Sequence, residues 1–459
     1  MPVASVRAYN LSGNTNQLFS VSGMPTACSS SIMDEACTIP SGIGALVVSP
    51  RAYATQKELM AGFQWLRRHS PVGLIDVEGF DPFWAVTTYA DIVEVSRRHD
   101  FFHSGERAST LVPKAADALA RSLTGGSPHL MRTLLQMDAP DHPRYRQITQ
   151  RWFARQGVAM LEDRVRTIAR DLVDGMVERA AGCDFVREVA QIYPLRVMMA
   201  MLELPEGDES HLLGLIQELF RSQDEAPGHG RASRDPARHA KRLQDAVMSF
   251  DRYFAPLLER ARQSSRDDLI GLIADAVIDG RPIDRLEAIS YLMVIVTAGH
   301  HTVASAISGA VWAMCENPGE FRKVKSDPGL VPHLVEEAVR WTTPAQHVMR
   351  TATEDTVLNG RRIARGDWLM LCYLSGNRDE LVFDAPDHFC VERDRGRNLA
   401  FGYGAHICLG QHLARLEMQV FFEELLRRLA WIEISGVPRR LASIFVGGPR
   451  ALPVKFAML

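Results

Sequence analysis

Residues 401–410 read "FGYGAHICLG", in which Gly402, Gly404 and Gly410 surround one histidine, His406, and one cysteine, Cys408. Glycine accepts backbone conformations and close approaches that other residues cannot, so this clustering predicts a loop shaped to present a group. The next stretch, "QHLARLEMQVFFEELLRRL", repeats apolar positions every three or four residues and is rich in helix formers, so Cys408 sits where a loop enters a helix. Free N–H groups and the dipole at a helix N-terminus favour an anion, which biases such a cysteine towards thiolate, the form that binds metal or attacks a substrate. The other cysteines, Cys28, Cys37, Cys183, Cys315, Cys372 and Cys390, are scattered and form no C-x-x-C pair. That spacing argues against a zinc ribbon or a disulfide framework.

A second constellation lies in "DRLEAISYLMVIVTAGHHTVASAISGAVWAMCEN", residues 284–317. Asp284 can cap its start, Pro318 stops it and the middle is apolar on all sides, which predicts a helix of ~50 Å passing through the interior. Its centre, Ala298, Gly299, His300, His301 and Thr302, breaks that pattern, and buried polar groups cost stability unless they are satisfied or used. The Thr302 hydroxyl can bond the Ala298 carbonyl and locally bend the helix, leaving room for a small molecule or water; a kink without chemistry is the weaker alternative for this motif taken alone. Two more pairs sit at helical spacing. Glu337 and Arg340 are three apart in "VPHLVEEAVRW", and His142 and Arg146 are four apart in "DAPDHPRYRQITQRWF". Each pair shares a helix face; taken alone, the first reads as a surface ion pair and the second as a solvated face.

The chain that must position these groups has 459 residues, 46% of them hydrophobic, enough for one large core or a few ordinary ones. A net charge of -3 carries no polyanion-binding signature, so nucleic acid is not an expected partner. No apolar run approaches the roughly 20 residues that span a bilayer, and no secretory signal is evident, so a cytoplasmic location without a membrane partner is expected. Residues 1–32 are rich in Ser, Asn and Gly and read as a flexible extension, followed by one domain over 33–459. Residues 221–238 form a polar, Gly/Pro-containing interruption read as a surface loop. Helix periodicity dominates from about residue 140 to 340, with β-like runs near "FWAVTTY" and over 346–375. The fold class expected is therefore mainly α with a smaller β region.

In this order the pieces resemble the cytochrome P-450 family, from about residue 40 to the C-terminus. "FGYGAHICLG" fits the family's F-G-x-G-x-H-x-C-x-G loop at every fixed position. The resemblance implies a helix-rich triangular prism around a buried haem b, iron protoporphyrin IX, with Cys408 as the proximal thiolate ligand of the metal. It implies cofactor contacts from Phe401, Gly402 and Gly410, and haem propionate contacts from His406, from the H-x-x-x-R pair His142 and Arg146, and from Arg350 in "HVMRTA". Glu337, Arg340 and Arg393 match the family's structural ion network behind the cysteine loop. Ala298, Gly299 and Thr302 match its oxygen-activation motif, with Thr302 holding the network that delivers protons. Within the family, "GFDPFWAVTTYADI", "YPLRVMMAMLELPE", "LVEEAVRWTTP" and "FVGGPR" resemble segments of its bacterial terpineol-oxidising members. "MDEACTIP" resembles their start, which makes Met33 an alternative start.

The implied activity is hydroxylation of a small hydrophobic substrate, a monoterpenoid or alkylaromatic, with O2 and electrons from an iron–sulfur ferredoxin and its ferredoxin reductase. Arg395, Arg397 and Arg415 flank the cysteine loop in sequence and offer positive charge to an acidic ferredoxin. The expected substrate-lining segments are 103–135, about 190–240, the central helix with Val294, Ile295 and Ala298 on one face, 344–349 and 443–448. One position departs from the family pattern: His301 stands where Asp or Glu usually precedes the threonine. An imidazole can relay protons near neutrality, and burial can hold it neutral. A peroxide-using haem-thiolate enzyme and a haem-based binding protein without turnover are the competing readings, with the retained Thr302 weighing against both.

Overall fold

The computed structural model describes residues 39–177, 182–221, 236–264 and 268–459. The expected N-terminal extension lies outside the described residues. So does most of the expected loop over 221–238, where only Arg221 and the start of the helix Pro236–Ser264 are described.

A five-stranded sheet and a helical body carry the site. In chain order the strands are β1 (Val72–Ile75), β2 (Phe83–Val86), β3 (Phe102–His103), β4 (Cys183–Asp184), β5 (Val348–Ala352), β6 (Trp368–Leu371), β7 (Leu429–Ile434) and β8 (Pro453–Met458). The first sheet runs β1, β2, β6, β5, β3, with β2 and β6 parallel and the other pairs antiparallel. Every residue of β5 and β6 is buried; β6 reads as a continuous apolar run, whereas β5 carries Arg350 and Thr351 into the interior. The smaller sheet runs β7, β8, β4. The run near "FWAVTTY" falls in the first sheet, and the run over 346–375 supplies β5 and β6 to it and a separate two-stranded hairpin, Thr356–Leu358 with Arg361–Ile363.

The helices used below are α1 (Tyr89–Arg97), α2 (Asp141–Gln150), α3 (Ile192–Met201), α4 (Glu209–Arg221), α5 (Arg285–Glu316), α6 (Val331–Thr342) and α7 (Gln411–Arg428). Helix α5 is the predicted central helix, 32 residues long. Its start is a capping box: Asp284 accepts from the backbone of Leu286 and Glu287, while Glu287 accepts from the Asp284 N–H at 3.2 Å. It packs against α3, α6 and α7, and its apolar residues form the centre of the largest core cluster.

Helix α5 is long and apolar enough to cross a membrane by length and composition, contrary to the expectation that no run approaches that length. Its apolar window is 72% buried among the other helices, which is the second environment that tolerates a helix apolar on all sides. The Thr302 hydroxyl donates to the Ala298 carbonyl, at 2.7 Å, as the sequence predicts, within a helix that continues through that turn.

Candidate active site

Glu337 and Arg340 lie one turn apart on α6, and this pair is not a surface ion pair. Arg340 reaches both Glu337 oxygens, at 2.6 and 2.7 Å, and both residues are buried. Its remaining N–H groups donate to the carbonyls of Asn377, Pro386 and His388. Arg393 joins Glu337 at 3.1 Å, and the Cys390 N–H donates to the same carboxylate. A buried charge pair is tolerable only when its remaining polar capacity is used, and this one is closed on every side. It ties α6 to the strand-free segment 377–393 that leads into the cysteine loop. Arg378 was not singled out from sequence; it is buried, donates to the Arg340 and Trp341 carbonyls and stacks on Trp341.

In the loop itself, Gly402 and Gly404 take φ of +69 and +71, where a side chain is strained, and a Cβ on Gly404 would collide with the Ser96 carbonyl of α1. Gly410 needs neither excuse: it caps α7 at φ -84 and a Cβ there would meet no protein atom. The Cys408 N–H donates to the Phe401 carbonyl at 2.7 Å, closing the loop three residues before α7. The expected bias towards thiolate is outweighed: burial raises the Cys408 thiol, and the Gly410 N–H and the charges of Arg146 and Arg415 only partly offset that. Helix-end geometry is legible locally, whereas desolvation is set by the rest of the fold.

Cys408 nonetheless has accessible surface. So does Ala298, although its helix neighbours Met293, Val296, Thr297 and His300 are buried. Both residues border internal space, with Val294 half-buried on the Ala298 side and Ile295 almost fully buried. Gly299 does not share that face. A Cβ there would meet Met198 Sδ of α3 at 2.7 Å, so this glycine serves the packing of α5 on α3.

His142, Arg146, Arg350 and His406 lie close together. The rings of His142 and His406 lie 4.2 Å apart, and His406 Nε2 bonds the Ser104 hydroxyl at 3.2 Å. Burial first, then the Arg146 charge, lowers His142 to about 4; burial and then Arg350 lower His406 to about 2. Arg350, on β5, is buried and donates only to the Met349 carbonyl, while Arg146 lies near enough to Cys408 and to Tyr291 of α5 to feel both. Among the described residues neither guanidinium has a carboxylate within 4.0 Å. The nearest acid, Asp138, is engaged by the Ser104 and Gly105 N–H groups at 2.8 Å and stands 4.0 Å from His406. A buried arginine beside a half-buried one, neither bonded to an acid, makes an anion site.

This donor set fits haem: a cysteine sulfur facing internal space, beside cations suited to two carboxylates.

His300 and His301 face different partners. His300 Nε2–H donates to the Gln191 carbonyl at 2.8 Å, and its Nδ1 is buried without a partner among the described residues. The His301 ring stacks on Phe220 of α4 at 4.4 Å, its Nε2 is buried without a partner among the described residues, and burial followed by the His300 charge lowers its pKa to about 3. Arg415 is committed elsewhere than the sequence suggested: it bonds Glu336 at 2.5 Å and covers the Phe401 ring, whereas Arg395 and Arg397 are exposed.

A helical body around a long buried helix, a five-stranded sheet and a glycine-shaped cysteine loop beside a cluster of arginines and histidines are the features that known proteins can be matched against. A family model, "Cytochrome P450", matches residues 329–449. Cytochrome P450-terp from a Pseudomonas species is 41% identical over 92% of this chain and 99% of its own. The crystal structure of CYP108D1 from Novosphingobium aromaticivorans has a TM-score of 0.84 and 38% identity, covering 92% of this chain and 99% of that one. CYP268A2 from Mycobacterium marinum, solved in complex with pseudoionone, has a TM-score of 0.79 and 28% identity over 94% of this chain and 100% of its own. The chain belongs to the cytochrome P450 family and is a monooxygenase, and the family implies a haem cofactor, O2, an organic substrate and a redox partner.

Proposed function

We propose that residues 33–459 act as one cytoplasmic monooxygenase domain that holds haem b through Cys408 and hydroxylates a small hydrophobic molecule of the monoterpenoid or alkylaromatic type. Electrons come from an iron–sulfur ferredoxin served by a ferredoxin reductase. The observation that carries the cofactor reading is the clustering of Arg146, Arg350, His142 and His406, in which neither arginine has a carboxylate within 4.0 Å among the described residues. Likeness to Cytochrome P450-terp over nearly its full length, together with the pseudoionone complex of CYP268A2, supports the substrate class.

When bound, haem supplies the activation of O2 and the insertion of one oxygen atom into a C–H bond, the other leaving as water. The chain's own contributions are distinct. Cys408 would supply the sulfur ligand, and the charges of Arg146 and Arg415 favour its thiolate. Arg350, Arg146, His142 and His406 would hold the haem carboxylates, and Ala298 and Val294 would offer apolar surface to the substrate. Thr302 donates its proton to Ala298 O at 2.7 Å, which leaves lone pairs on the hydroxyl free to receive a proton from solvent-linked donors. His301 can relay protons only if its ring leaves Phe220, since a relay needs a partner within hydrogen-bond reach.

The reading is tested by titrating the haem-loaded ferric protein with a panel of monoterpenoids and alkylbenzenes. A shift to high spin with at least one member at micromolar concentration, followed by hydroxylated product with ferredoxin and reductase, is the expected result. A panel that leaves the spin state unchanged contradicts the substrate class.

A further inference from the structure

His347 lies just before β5 and is fully buried, yet both ring nitrogens are used. Nδ1 stands 2.9 Å from the Ile444 carbonyl, which can only accept. The Leu111 N–H donates to Nε2 at 3.0 Å. One arrangement satisfies both: a neutral ring with the proton on Nδ1. The ring thereby links residues far apart in sequence, from the segment after β3 to the turn near the C-terminus.

The surrounding contacts make this link decisive for position. The turn at 443–448 is clamped to 344–346: Gln346 N–H donates to Phe445 O at 2.9 Å, Gln346 Nε2 to Ser443 O at 2.9 Å and Gly447 N–H to Pro344 O at 2.8 Å. Gly448, at φ +130, brings that turn against Ser305 of α5, where a Cβ would come within 2.5 Å of the Ser305 Cβ. On the other side, Ser109 O accepts from Met349 N–H at 2.9 Å and Ala108 O from Trp368 Nε1 at 3.2 Å, which leaves the Leu111 end of that segment to His347. Three segments expected from sequence to line the pocket therefore meet at one imidazole that itself has no accessible surface.

We propose that His347 is a positioning residue for substrate discrimination: through its two hydrogen bonds it fixes the 108–111 segment against the 443–448 turn and so sets which hydrophobic molecules fit. This rests on the monooxygenase reading above. Its occupants are apolar ligands whose size and shape the spacing of the two segments selects.

Two variants separate the bonds. His347→Asn keeps an amide near the Nδ1 position, facing Ile444, and drops the acceptor for Leu111; His347→Gln can return an acceptor to the Leu111 side. In the full-length, haem-loaded protein, hydrogen exchange of the peptide containing Leu111 is expected to be slow in the wild type, faster by about tenfold at that amide in His347→Asn and restored towards wild type in His347→Gln. Spin-state titrations with the monoterpenoid and alkylbenzene panel should show the ranking of ligands flattened by about tenfold in His347→Asn, with less change in His347→Gln. A wild-type Leu111 amide that exchanges as fast as exposed loops overturns the proposal, as does a His347→Asn ranking within about twofold of wild type. A loss of stability with the ranking intact would mean a purely structural histidine and overturns it too. The carbon monoxide spectrum of the wild type reports the haem-thiolate reading separately, because the exchange measurement does not depend on the axial ligand.

Discussion

Two buried arginines lie within ten residues of each other in sequence and keep opposite company. Arg340 is enclosed by the Glu337 carboxylate and the carbonyls of Asn377, Pro386 and His388, with Arg393 completing the network. Arg350 has a single carbonyl, its neighbour Met349, and shares its corner with Arg146 and two histidines but no bonded acid. A protein tolerates a buried cation when its charge is balanced, and a corner that leaves it unbalanced is arranged for an anion that arrives from outside the chain. The first arrangement holds the cysteine loop in place; the second receives what the loop binds.

The largest expected effect comes from opening the closed network. Glu337→Gln leaves Arg340 and Arg393 without a carboxylate, which should cost about 3–5 kcal/mol of stability and reduce the yield of folded protein, as read by denaturant unfolding. Arg350→Leu should do the reverse on the other side of the comparison: the apoprotein keeps or gains stability, while the haem-loaded protein loses its cofactor to an acceptor about 10–100-fold faster, since a charged hydrogen bond is worth ~1.5–3 kcal/mol. If Arg350→Leu destabilised the apoprotein as much as Glu337→Gln does the folded chain, the distinction would fall.

Smaller effects sharpen the contrast between satisfied and unsatisfied burial on α5. His301→Asp places an acid before Thr302; coupling of NADH use to product should rise severalfold and the pH dependence should move towards lower pH. Unchanged coupling with an unmoved pH profile would show that His301 takes no part in proton delivery. His300 is held neutral, its pKa lowered to about 4 mainly by burial. Its folded-state value lies below that of the unfolded chain, near 6.5, so its neutral form contributes stability above that pH that is lost as pH falls towards about 4. His300→Gln should therefore flatten the stability profile between about pH 6.5 and 4 by at most one proton's worth, measured by unfolding across that range.

What the sequence disclosed were features closed over a few residues. The Asp284 capping box, the Thr302 bond to Ala298, the helical spacing of Glu337 and Arg340 and the loop entering α7 all depend on neighbours within one turn. The hidden features depend on tertiary neighbours. Arg415 pairs with Glu336 on another helix, so its position beside the cysteine loop misled as to its freedom. Gly299 is fixed by Met198 and Gly404 by Ser96, contacts that no motif encodes. His347 bonds Leu111 and Ile444, and nothing in "QHVMRTA" marks the histidine as a bridge. Burial of the Cys408 thiol belongs to the same class, since a helix end can be read from spacing and desolvation cannot.

The account's central claim is that Cys408 supplies a thiolate to iron beside a corner built for carboxylates. The spectrum of the reduced, carbon monoxide-bound, haem-loaded full chain tests it most directly. A strongly red-shifted Soret band, lost in Cys408→Ser, is the predicted result; an unshifted band in a folded, haem-loaded sample would mean neutral thiol or histidine ligation and would contradict it.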